Sequence, residues 1–235
     1  MPRPWLNANS LSGERCFRPP TVETRPQRHH TREQARRSAS FQMTDRILQN
    51  ALDLSGHVLM AMPDMGDDRF TRSVILICAH SEDGAMGLMV NLRTDDVALS
   101  DLAEQLDMET APQFHDRPLH SGGPVEQERG FVLHSPDYHS AISTMAVTSE
   151  ISLTGTLDVI EELANGKGPE HALVMLGYCG WGPGQLESEL ARNAWLVGDA
   201  PFDLIFGTPD ARKWEAALAN QNISALNLSS TQGHA

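Results

Sequence analysis

Four short apolar runs, each bounded by glycine, proline or charged residues, constrain the fold of this 235-residue chain more than any other feature. Each run has the length of a strand, and its apolar residues are consecutive rather than alternating with polar ones. A strand of this kind is typically buried on both faces. The sequence therefore predicts a sheet with both faces covered, built around residues 58–62, 74–79, 86–90 and 172–176.

Turn residues and helical spacings fill the intervals between these runs. The segment Ser81-Glu82-Asp83-Gly84 separates the second run from the third and predicts an antiparallel hairpin. Leucines spaced by three and four predict helices, the first of them capped by Ser100. Because strands and helices do not alternate as a regular βαβ series, we expect an α+β domain with a mixed or partly closed sheet. Further strands are predicted at 118–121, 130–134, 194–197 and 203–206, and within 141–152.

Charge divides the chain near Met43. The whole chain has 18 Lys and Arg, 31 Asp and Glu, and a net charge of −13. Residues 1–42 contribute 8 basic and 3 acidic residues (+5), so residues 43–235 hold 10 basic and 28 acidic residues (−18). The first segment is also rich in proline and poor in aliphatic residues. We therefore predict that residues 1–42 are a disordered basic extension.

This extension has more than one interpretation. A transit peptide would be nearly free of acidic residues, and Glu14, Glu23 and Glu33 argue against one. A basic arm for nucleic acid is an alternative. The favoured interpretation is that Met43 is the true start of the protein. The arginines that such an arm would use are Arg25, Arg28, Arg32, Arg36 and Arg37.

The composition of the remainder excludes several classes of protein. We expect residues 43–221 to form a single domain and residues 222–235 to be a polar tail. No apolar run reaches the roughly 18 residues of a membrane-spanning helix. Three cysteines are too few for a disulfide scaffold and favour a reducing compartment, so we expect a cytoplasmic protein. The strongly acidic domain disfavours direct binding to nucleic acid.

The glycine-rich segment 177–184 (Gly-Tyr-Cys-Gly-Trp-Gly-Pro-Gly) is the most informative part of the chain for function. It is predicted to be a loop that joins a buried strand to a helix. Such a loop can direct backbone N–H groups at an anion, but this one lacks both common phosphate-binding fingerprints. If Cys179 were exposed at the helix N-terminus, its pKa would be lowered. The alternative is a tight corner in which Tyr178 and Trp181 pack over the end of the sheet.

The histidines and hydroxyl residues form no complete catalytic set. His134, Ser135 and Asp137 have the residue types of a triad, but triad members meet through the fold and no Gly-x-Ser-x-Gly elbow is present. Asn91 is predicted to bond to the backbone across the end of the hairpin. These observations argue against an enzyme. No metal site is predicted, because metal-ligand spacing is absent around His57, His80, His120 and His134.

Three separated blocks form a pattern more specific than any single motif. The first includes Gly56-His57-Val58-Leu59-Met60-Ala61-Met62-Pro63-Asp64-Met65, His80, Gly84-Ala85-Met86-Gly87-Leu88 and Asn91. The second is Ser121-Gly122-Gly123-Pro124-Val125 with Leu133-His134. The third is Leu176-Gly177-Tyr178, Gly180-Trp181, Gly184-Gln185-Leu186-Glu187, Glu189 and Asn193-Ala194-Trp195-Leu196. In this order, over about residues 52–206, the blocks resemble the YqgE/AlgH family.

The resemblance implies an α+β fold in which a mixed sheet is partly closed into a barrel and surrounded by helices. It also implies a bacterial cytoplasmic protein with a proposed regulatory role in alginate gene expression. It implies no reaction, no cofactor and no catalytic residue. Gly198 stands where some relatives look to have a cysteine, so a thiol mechanism at that position does not apply here.

Two functions follow as hypotheses. The first is a regulator of gene expression that acts through a protein or small-molecule partner rather than by direct DNA binding. The second is a small-molecule-binding protein or enzyme with a polar cleft around residues 177–184. A third possibility is that the matching residues serve the fold alone. No cofactor or metal is expected, and the candidate cleft residues are His80, Asn91, His134, Tyr178, Cys179, Trp181, Gln185, Glu187 and Asn193.

Overall fold

The computed structural model defines which parts of the chain can be described. The extension predicted at 1–42 lies outside the described residues, as does most of the tail predicted at 222–235. The described residues are 53–63, 65–109, 111–112, 115–140, 142–225 and 228.

The first three apolar runs form three consecutive antiparallel strands. They are β1 (His57–Ala61), β2 (Val74–Ser81) and β3 (Gly84–Met89). Strand β2 pairs with both of its neighbours, and Ile75 lies opposite Met89 in the register of β2 and β3. The predicted hairpin is therefore confirmed. All three strands contribute buried side chains to the core, as their consecutive apolar residues require.

The described part of the chain also contains seven more strands, four α-helices, a 3-10 turn (Asp68–Phe70) and a π-helical turn (Asp203–Gly207). The strands are β4 (Arg93–Ala98), β5 (Pro118–Ser121), β6 (Val125–His134), β7 (Met145–Ala146), β8 (Ser152–Thr154), β9 (Ala172–Trp181) and β10 (Trp195–Asp199). The helices are α1 (Leu99–Gln105), α2 (Leu157–Ala164), α3 (Gln185–Ala191) and α4 (Asp210–Asn220). None of the helices in the described residues is long and apolar enough to cross a membrane.

Strand β9 joins two halves of one curled sheet. One half runs β10-β1-β2-β3-β9, and the other runs β9-β6-β8-β7. Strand β5 pairs with β9 in parallel and with β4 in an antiparallel orientation. The other pairings among the described strands are antiparallel. The sheet is therefore mixed and forms a half-barrel with helices around it, which confirms the predicted α+β architecture.

Glycine allows β9 to change partners along its length. Gly177 has a φ of +72°, and a Cβ atom there would lie 2.5 Å from the carbonyl oxygen of Gly123. The strand passes through this position and continues to Trp181, where it pairs with β3. The loop predicted over 177–184 is therefore wrong for most of its length. Only residues 182–184 form the turn into α3.

The helices cover the sheet in three apolar clusters. Helices α1 and α2 pack on the half that contains β5, β6 and β9, and Leu102 and Ile160 belong to their cluster. Helix α3 packs Leu186 beside Trp195, over the half that contains β1, β2 and β3. Helix α4 contributes Trp214 to the largest cluster, which contains side chains from both halves of the sheet.

Two local predictions are wrong for identifiable reasons. Helix α1 begins at Leu99, so Ser100 lies inside it, and the Asp101 carboxylate instead accepts from the backbone N–H of Ala98 at 2.7 Å. Residues 203–206 belong to a π-helical turn (Asp203–Gly207) instead of a strand. A four-residue apolar run has the same pattern in a buried turn and in a buried strand, so periodicity cannot separate them.

Candidate functional site

Helix α3 brings together five of the predicted cleft residues at one end of the sheet. At its centre, His80 Nε2 lies 2.8 Å from Glu187 Oε1, and His80 Nδ1 accepts from the backbone N–H of Leu54 at 3.2 Å. Because Nδ1 accepts, the proton of the neutral ring is on Nε2 and is donated to the carboxylate. The five residues are His80, Cys179, Trp181, Gln185 and Glu187.

A second carboxylate on α3 binds three neutral side-chain donors. Trp181 Nε1 and Trp195 Nε1 donate to Glu189 Oε2 at 2.9 and 2.8 Å, and Gln185 Nε2 donates to Glu189 Oε1 at 2.9 Å. Burial raises the pKa of Glu189, but these donors outweigh that effect and hold its pKa below the ordinary value. We call these four residues the Glu189 cluster. Both of its indole N–H groups are paired within the protein.

Cys179 is a core residue. Its side chain lies within β9, is 2% exposed, and donates weakly to the carbonyl oxygen of Gly122 at 3.5 Å. Burial raises the pKa of the Cys179 thiol to about 12. The exposure that a lowered pKa would require is absent, so the thiol is not activated.

Asn91 has the structural role expected from its position. Its Oδ1 accepts from the backbone N–H of Val74 at 2.8 Å, and its Nδ2 donates to the carbonyl oxygen of Arg72 at 2.9 Å. The side chain therefore fixes the chain segment that enters β2. Asn91 lies away from α3 and does not join the predicted cleft.

The other three predicted residues also do not join this group of five. His134 is buried; its Nδ1 donates to the carbonyl oxygen of Ser135 and its Nε2 accepts from Thr154, so the three triad-like residues form no triad. Burial lowers the pKa of His134. Tyr178 donates to Glu126 at 3.4 Å, and burial raises its pKa. Asn193 has a φ of +56° just after α3 and is exposed.

Two adjacent cavities lie on a different face, beside α4. The smaller has a volume of about 220 Å³ and the larger about 280 Å³. Thr71, Arg72 and Trp214 line both of them. We call the two cavities together the Arg72 groove. Asn91 is the one predicted site residue among the described residues that line it.

Arg72 forms the partition between the cavities. Its guanidinium lies 4.9 Å from the centre of the Trp214 ring and 3.5 Å from the Glu215 carboxylate, and its side chain is 63% exposed. The φ of Arg72 is +55°, in the left-handed region that non-glycine residues seldom occupy. Trp214 is held from below by a hydrogen bond from its Nε1 to the carbonyl oxygen of Ala61 at 2.9 Å. The groove is therefore built on a fixed aromatic ring.

A carboxylate surrounded by basic side chains borders the smaller cavity. Asp210 accepts from Lys213 Nζ at 2.9 Å, from His120 Nε2 at 3.3 Å and from Arg93 Nε. Burial raises the pKa of Asp210, but these donors outweigh it and hold its pKa far below the ordinary value. Lys213 is 1% exposed and also donates to the carbonyl oxygen of Val90 at 2.7 Å. We call Asp210, Arg93, His120 and Lys213 the Asp210 cluster.

Two buried polar atoms near the groove have no hydrogen-bond partner among the described residues. They are Ser73 Oγ, in a residue that lines the smaller cavity, and His120 Nδ1, in the Asp210 cluster. Buried polar groups are otherwise paired in folded proteins. Within the described residues, no group of three or more His, Cys, Asp and Glu side chains is arranged to hold a metal ion.

A family model described as AlgH-like matches residues 58–226. The chain belongs to the AlgH-like family. A UPF0301 protein from Cereibacter sphaeroides strain ATCC 17023 is 53% identical over 184 residues, covering 78% of this chain and 100% of that protein. A UPF0301 protein from Ruegeria pomeroyi is 52% identical over 185 residues, with the same coverage of 78% and 100%. The resemblance drawn from the three sequence blocks is thus confirmed.

Solved structures agree with this assignment. The solution structure of the AlgH protein from Pseudomonas aeruginosa is similar with a TM-score of 0.66 and 37% identity, over 78% of this chain and 96% of that chain. A crystal structure of a protein from Corynebacterium diphtheriae is similar with a TM-score of 0.58 and 26% identity, over 79% and 97%. The AlgH-like fold of this chain is therefore shared with both structures.

Sequence reasoning missed the Arg72 groove because its residues come from distant segments. Arg72 and Ser73 lie in the chain before β2, whereas Asp210 and Trp214 lie in α4. One local signal was present: Asp210 and Lys213 are spaced i,i+3, and Lys213 lies next to the buried Trp214 on the inner face of an amphipathic helix. A lysine on such a face requires a partner, which points to a buried ion pair.

Proposed function

We propose that this AlgH-like protein is a cytoplasmic, non-catalytic regulator of gene expression that acts through a partner bound in the Arg72 groove. The observation that carries the proposal is the pair of cavities, about 220 and 280 Å³, that share Arg72 and Trp214. Their combined size is within the range typical of small-molecule sites, roughly 300–1,000 Å³. A fixed aromatic ring and an exposed guanidinium offer both apolar and charged contact to such a partner.

The charge of the chain supports action through a partner instead of direct contact with DNA. The chain has a net charge of −13, and residues 43–235 have a net charge of −18. A nucleic-acid-binding face requires a cluster of Lys and Arg that exceeds nearby acidic residues over a wide area. In this proposal the effect on gene expression passes through the bound small molecule or protein.

A second candidate places the ligand at the α3 end, as the polar-cleft hypothesis expects. The observation that favours it is the pair formed by His80 and Glu187, in which the Glu187 side chain is 41% exposed and thus within reach of a ligand. In the Glu189 cluster beside it both indole N–H groups already bind Glu189, so we rank this site second.

The two candidates can be separated by a thermal-shift screen of the full chain against a panel of small metabolites. Ala211→Trp fills the smaller cavity from an exposed position on α4, and Ala219→Trp is the matched control at an exposed position of the same helix outside the cavity lining. Glu187→Gln removes the exposed charge at the α3 end. A ligand of the groove will stabilise the wild type, Ala219→Trp and Glu187→Gln, but not Ala211→Trp.

Other outcomes contradict the proposal in defined ways. Ligands lost only in Glu187→Gln would favour the α3 end. The absence of any ligand or purified protein partner that distinguishes Ala211→Trp from Ala219→Trp would reject the groove as a binding site. Tight binding of duplex DNA by the full chain that weakens steeply with salt would reject action through a partner alone.

A further inference from the structure

Basic side chains concentrate around the Arg72 groove in a protein that is otherwise acidic. The described residues contain nine Lys and Arg, and four of them, Arg69, Arg72, Arg93 and Lys213, line the smaller cavity or bind the Asp210 carboxylate at its edge. In the whole chain Asp and Glu outnumber Lys and Arg by 31 to 18. At this cavity the four cations bind three carboxylates: Asp67, Asp210 and Glu215.

The carboxylate at the cavity edge does not cancel the cations that face solvent. Asp210 is already bound by Lys213, Arg93 and His120. Arg72 and Arg69, by contrast, are 63% and 67% exposed and form ion pairs at the protein surface. The Arg72–Glu215 pair is a single contact at 3.5 Å between exposed side chains and contributes little free energy, so an incoming anion can replace or share it at small cost. Arg69 binds Asp67 through two nitrogens and keeps that partner.

The rest of the smaller cavity suits an apolar group. Met89, Leu92 and Trp214 line it beside the two arginines. Leu92 is 44% exposed, one of the few large apolar side chains in the described residues that faces solvent. Ser73, on the same wall, adds a buried hydroxyl that no described residue binds. The wall therefore combines two exposed cations with an apolar surface.

We propose that the smaller cavity binds a small organic molecule carrying an oxyanion, either a carboxylate or a phosphate, with an apolar body. Arg72 holds the oxyanion, because a planar guanidinium can donate two parallel hydrogen bonds to it. Arg69, whose Nε and Nη2 already bind Asp67, adds positive charge beside it. The apolar body lies against Leu92 and the edge of Trp214. This inference rests on the proposed function and specifies the ligand class of the same groove.

The larger cavity explains why the anion belongs in the smaller one. Asp67 and Asp68 line the larger cavity together with Met62, Met65 and Ala225. Carboxylates there repel an anion, whereas the methionines accept an apolar group. Two carboxylates, Asp210 and Glu215, also line the smaller cavity, but Arg69, Arg72, Arg93 and Lys213 outnumber them there. In the larger cavity Arg72 is the one cation among the described residues that line it, against Asp67 and Asp68. This difference in charge balance orients any ligand that has one anionic end.

The test uses benzoate and phenyl phosphate as probes and benzamide as a neutral molecule of the same shape. Binding to the full chain is followed by the NMR shift of the Trp214 indole N–H. We expect saturable shifts with at least one anion, weakening as salt rises, and a response to benzamide at least tenfold weaker. The relative affinities of the two anions distinguish a carboxylate ligand from a phosphate ligand.

Four variants complete the test. Arg72→Gln should weaken anion binding at least tenfold. Arg129→Gln is the matched control, because Arg129 also faces a carboxylate (Glu126, 3.2 Å) and an aromatic ring (Phe131, 5.1 Å) at 58% exposure but lies outside the groove. It should change affinity by less than twofold. Glu215→Gln removes the carboxylate that competes for Arg72 and should tighten binding severalfold. Ala211→Trp should abolish binding.

Each contrary result has one meaning. If benzamide bound as tightly as benzoate and Ala211→Trp abolished both, the groove would remain a binding site and the preference for an anion would be rejected. Equal effects of Arg72→Gln and Arg129→Gln, or the absence of saturable binding by either anion, would also reject it. A metabolite screen in which Ala211→Trp never differs from Ala219→Trp would reject the proposed function itself.

Discussion

The Glu189 cluster and the Asp210 cluster each stabilise a carboxylate by side-chain hydrogen bonds, but the donors are neutral in the first cluster and basic in the second. Each contains a partly buried carboxylate that accepts three side-chain hydrogen bonds, and in each the donors lower the pKa against the effect of burial. The donors to Glu189 are neutral, two indoles and an amide. The donors to Asp210 are an arginine, a lysine and a histidine.

This difference is the reason that we place the proposed ligand beside Asp210 and rank the α3 end second. Neutral donors satisfy a carboxylate without adding charge, so the α3 end is a closed junction between helix and sheet. Basic donors compensate the carboxylate in excess, so the neighbouring cavity keeps a positive wall. A glycine-rich sequence with many polar residues is therefore a weaker guide to a site than a local imbalance of charge.

The largest effect is expected from Lys213→Met, which keeps the length of the side chain but removes its charge. The substitution takes a buried cation away from Asp210 and from the carbonyl oxygen of Val90. Removing one partner of a buried ion pair costs several kcal/mol; here Arg93 and His120 still bind Asp210, so we expect a loss of about 3 kcal/mol in the free energy of unfolding, at the low end of that range. Urea denaturation measures it, with Arg212→Met at the exposed neighbouring position as control. A loss below about 1 kcal/mol would contradict the buried pair.

A smaller loss is expected from Glu189→Leu at the α3 end. The leucine removes the acceptor of two indole N–H groups, those of Trp181 and Trp195, which are 7% and 4% exposed. Leaving buried donors unpaired costs about 1–3 kcal/mol each, and partial access to water reduces this, so we expect about 2 kcal/mol in total. Glu189→Gln retains one oxygen for both indoles and should lose less than half as much. Equal losses in the two variants would show that the negative charge, not the acceptor, stabilises this junction.

The smallest effect compares how the two carboxylates respond to acid. A carboxylate with a lowered pKa stabilises the fold above its unfolded pKa, and this contribution is lost as pH falls through the folded pKa. For Asp210 this loss of stability begins below pH 3.8, and for Glu189 it begins below pH 4.5. As pH falls from about 5 to about 2.5, the wild type should lose about 1 kcal/mol more stability than Asp210→Asn does. The corresponding difference between the wild type and Glu189→Gln should be smaller than about 1 kcal/mol. Chemical denaturation across this range measures both slopes, and a steeper slope in Asp210→Asn would be inconsistent with a lowered pKa.

The sequence predicted what depends on contiguous residues. The consecutive apolar residues of β1, β2 and β9 located the core strands, and the turn before Gly84 located the hairpin. Trp181, Gln185 and Glu187 of the third block lie close together in the structure, because a strand, a short turn and a helix follow one another within a few residues. The hydrogen bonds that these side chains form could not be predicted, because they depend on the direction in which each side chain points.

Features that depend on distant segments were not predictable in the same way. The Arg72 groove requires the chain before β2 to lie against α4, about 140 residues later, and no periodicity encodes that contact. The change of partner along β9 was also missed. Glycine favours turns as a rule, and Gly177 was interpreted in that way, although here its left-handed backbone lets a strand continue through a crowded crossing.

The strand β9, which both halves of the sheet share, has a consequence for how the protein unfolds. The first part of β9 is hydrogen-bonded to β6 in one half of the sheet, and its last part is hydrogen-bonded to β3 in the other half. Neither half can therefore unfold without breaking hydrogen bonds of a strand that belongs to both. Denaturant or heat should therefore melt the junction at α3 and the Asp210 region in a single cooperative step. Damage at either end then lowers the midpoint of the whole transition, so that a ligand in the groove also protects the distant tryptophans from unfolding.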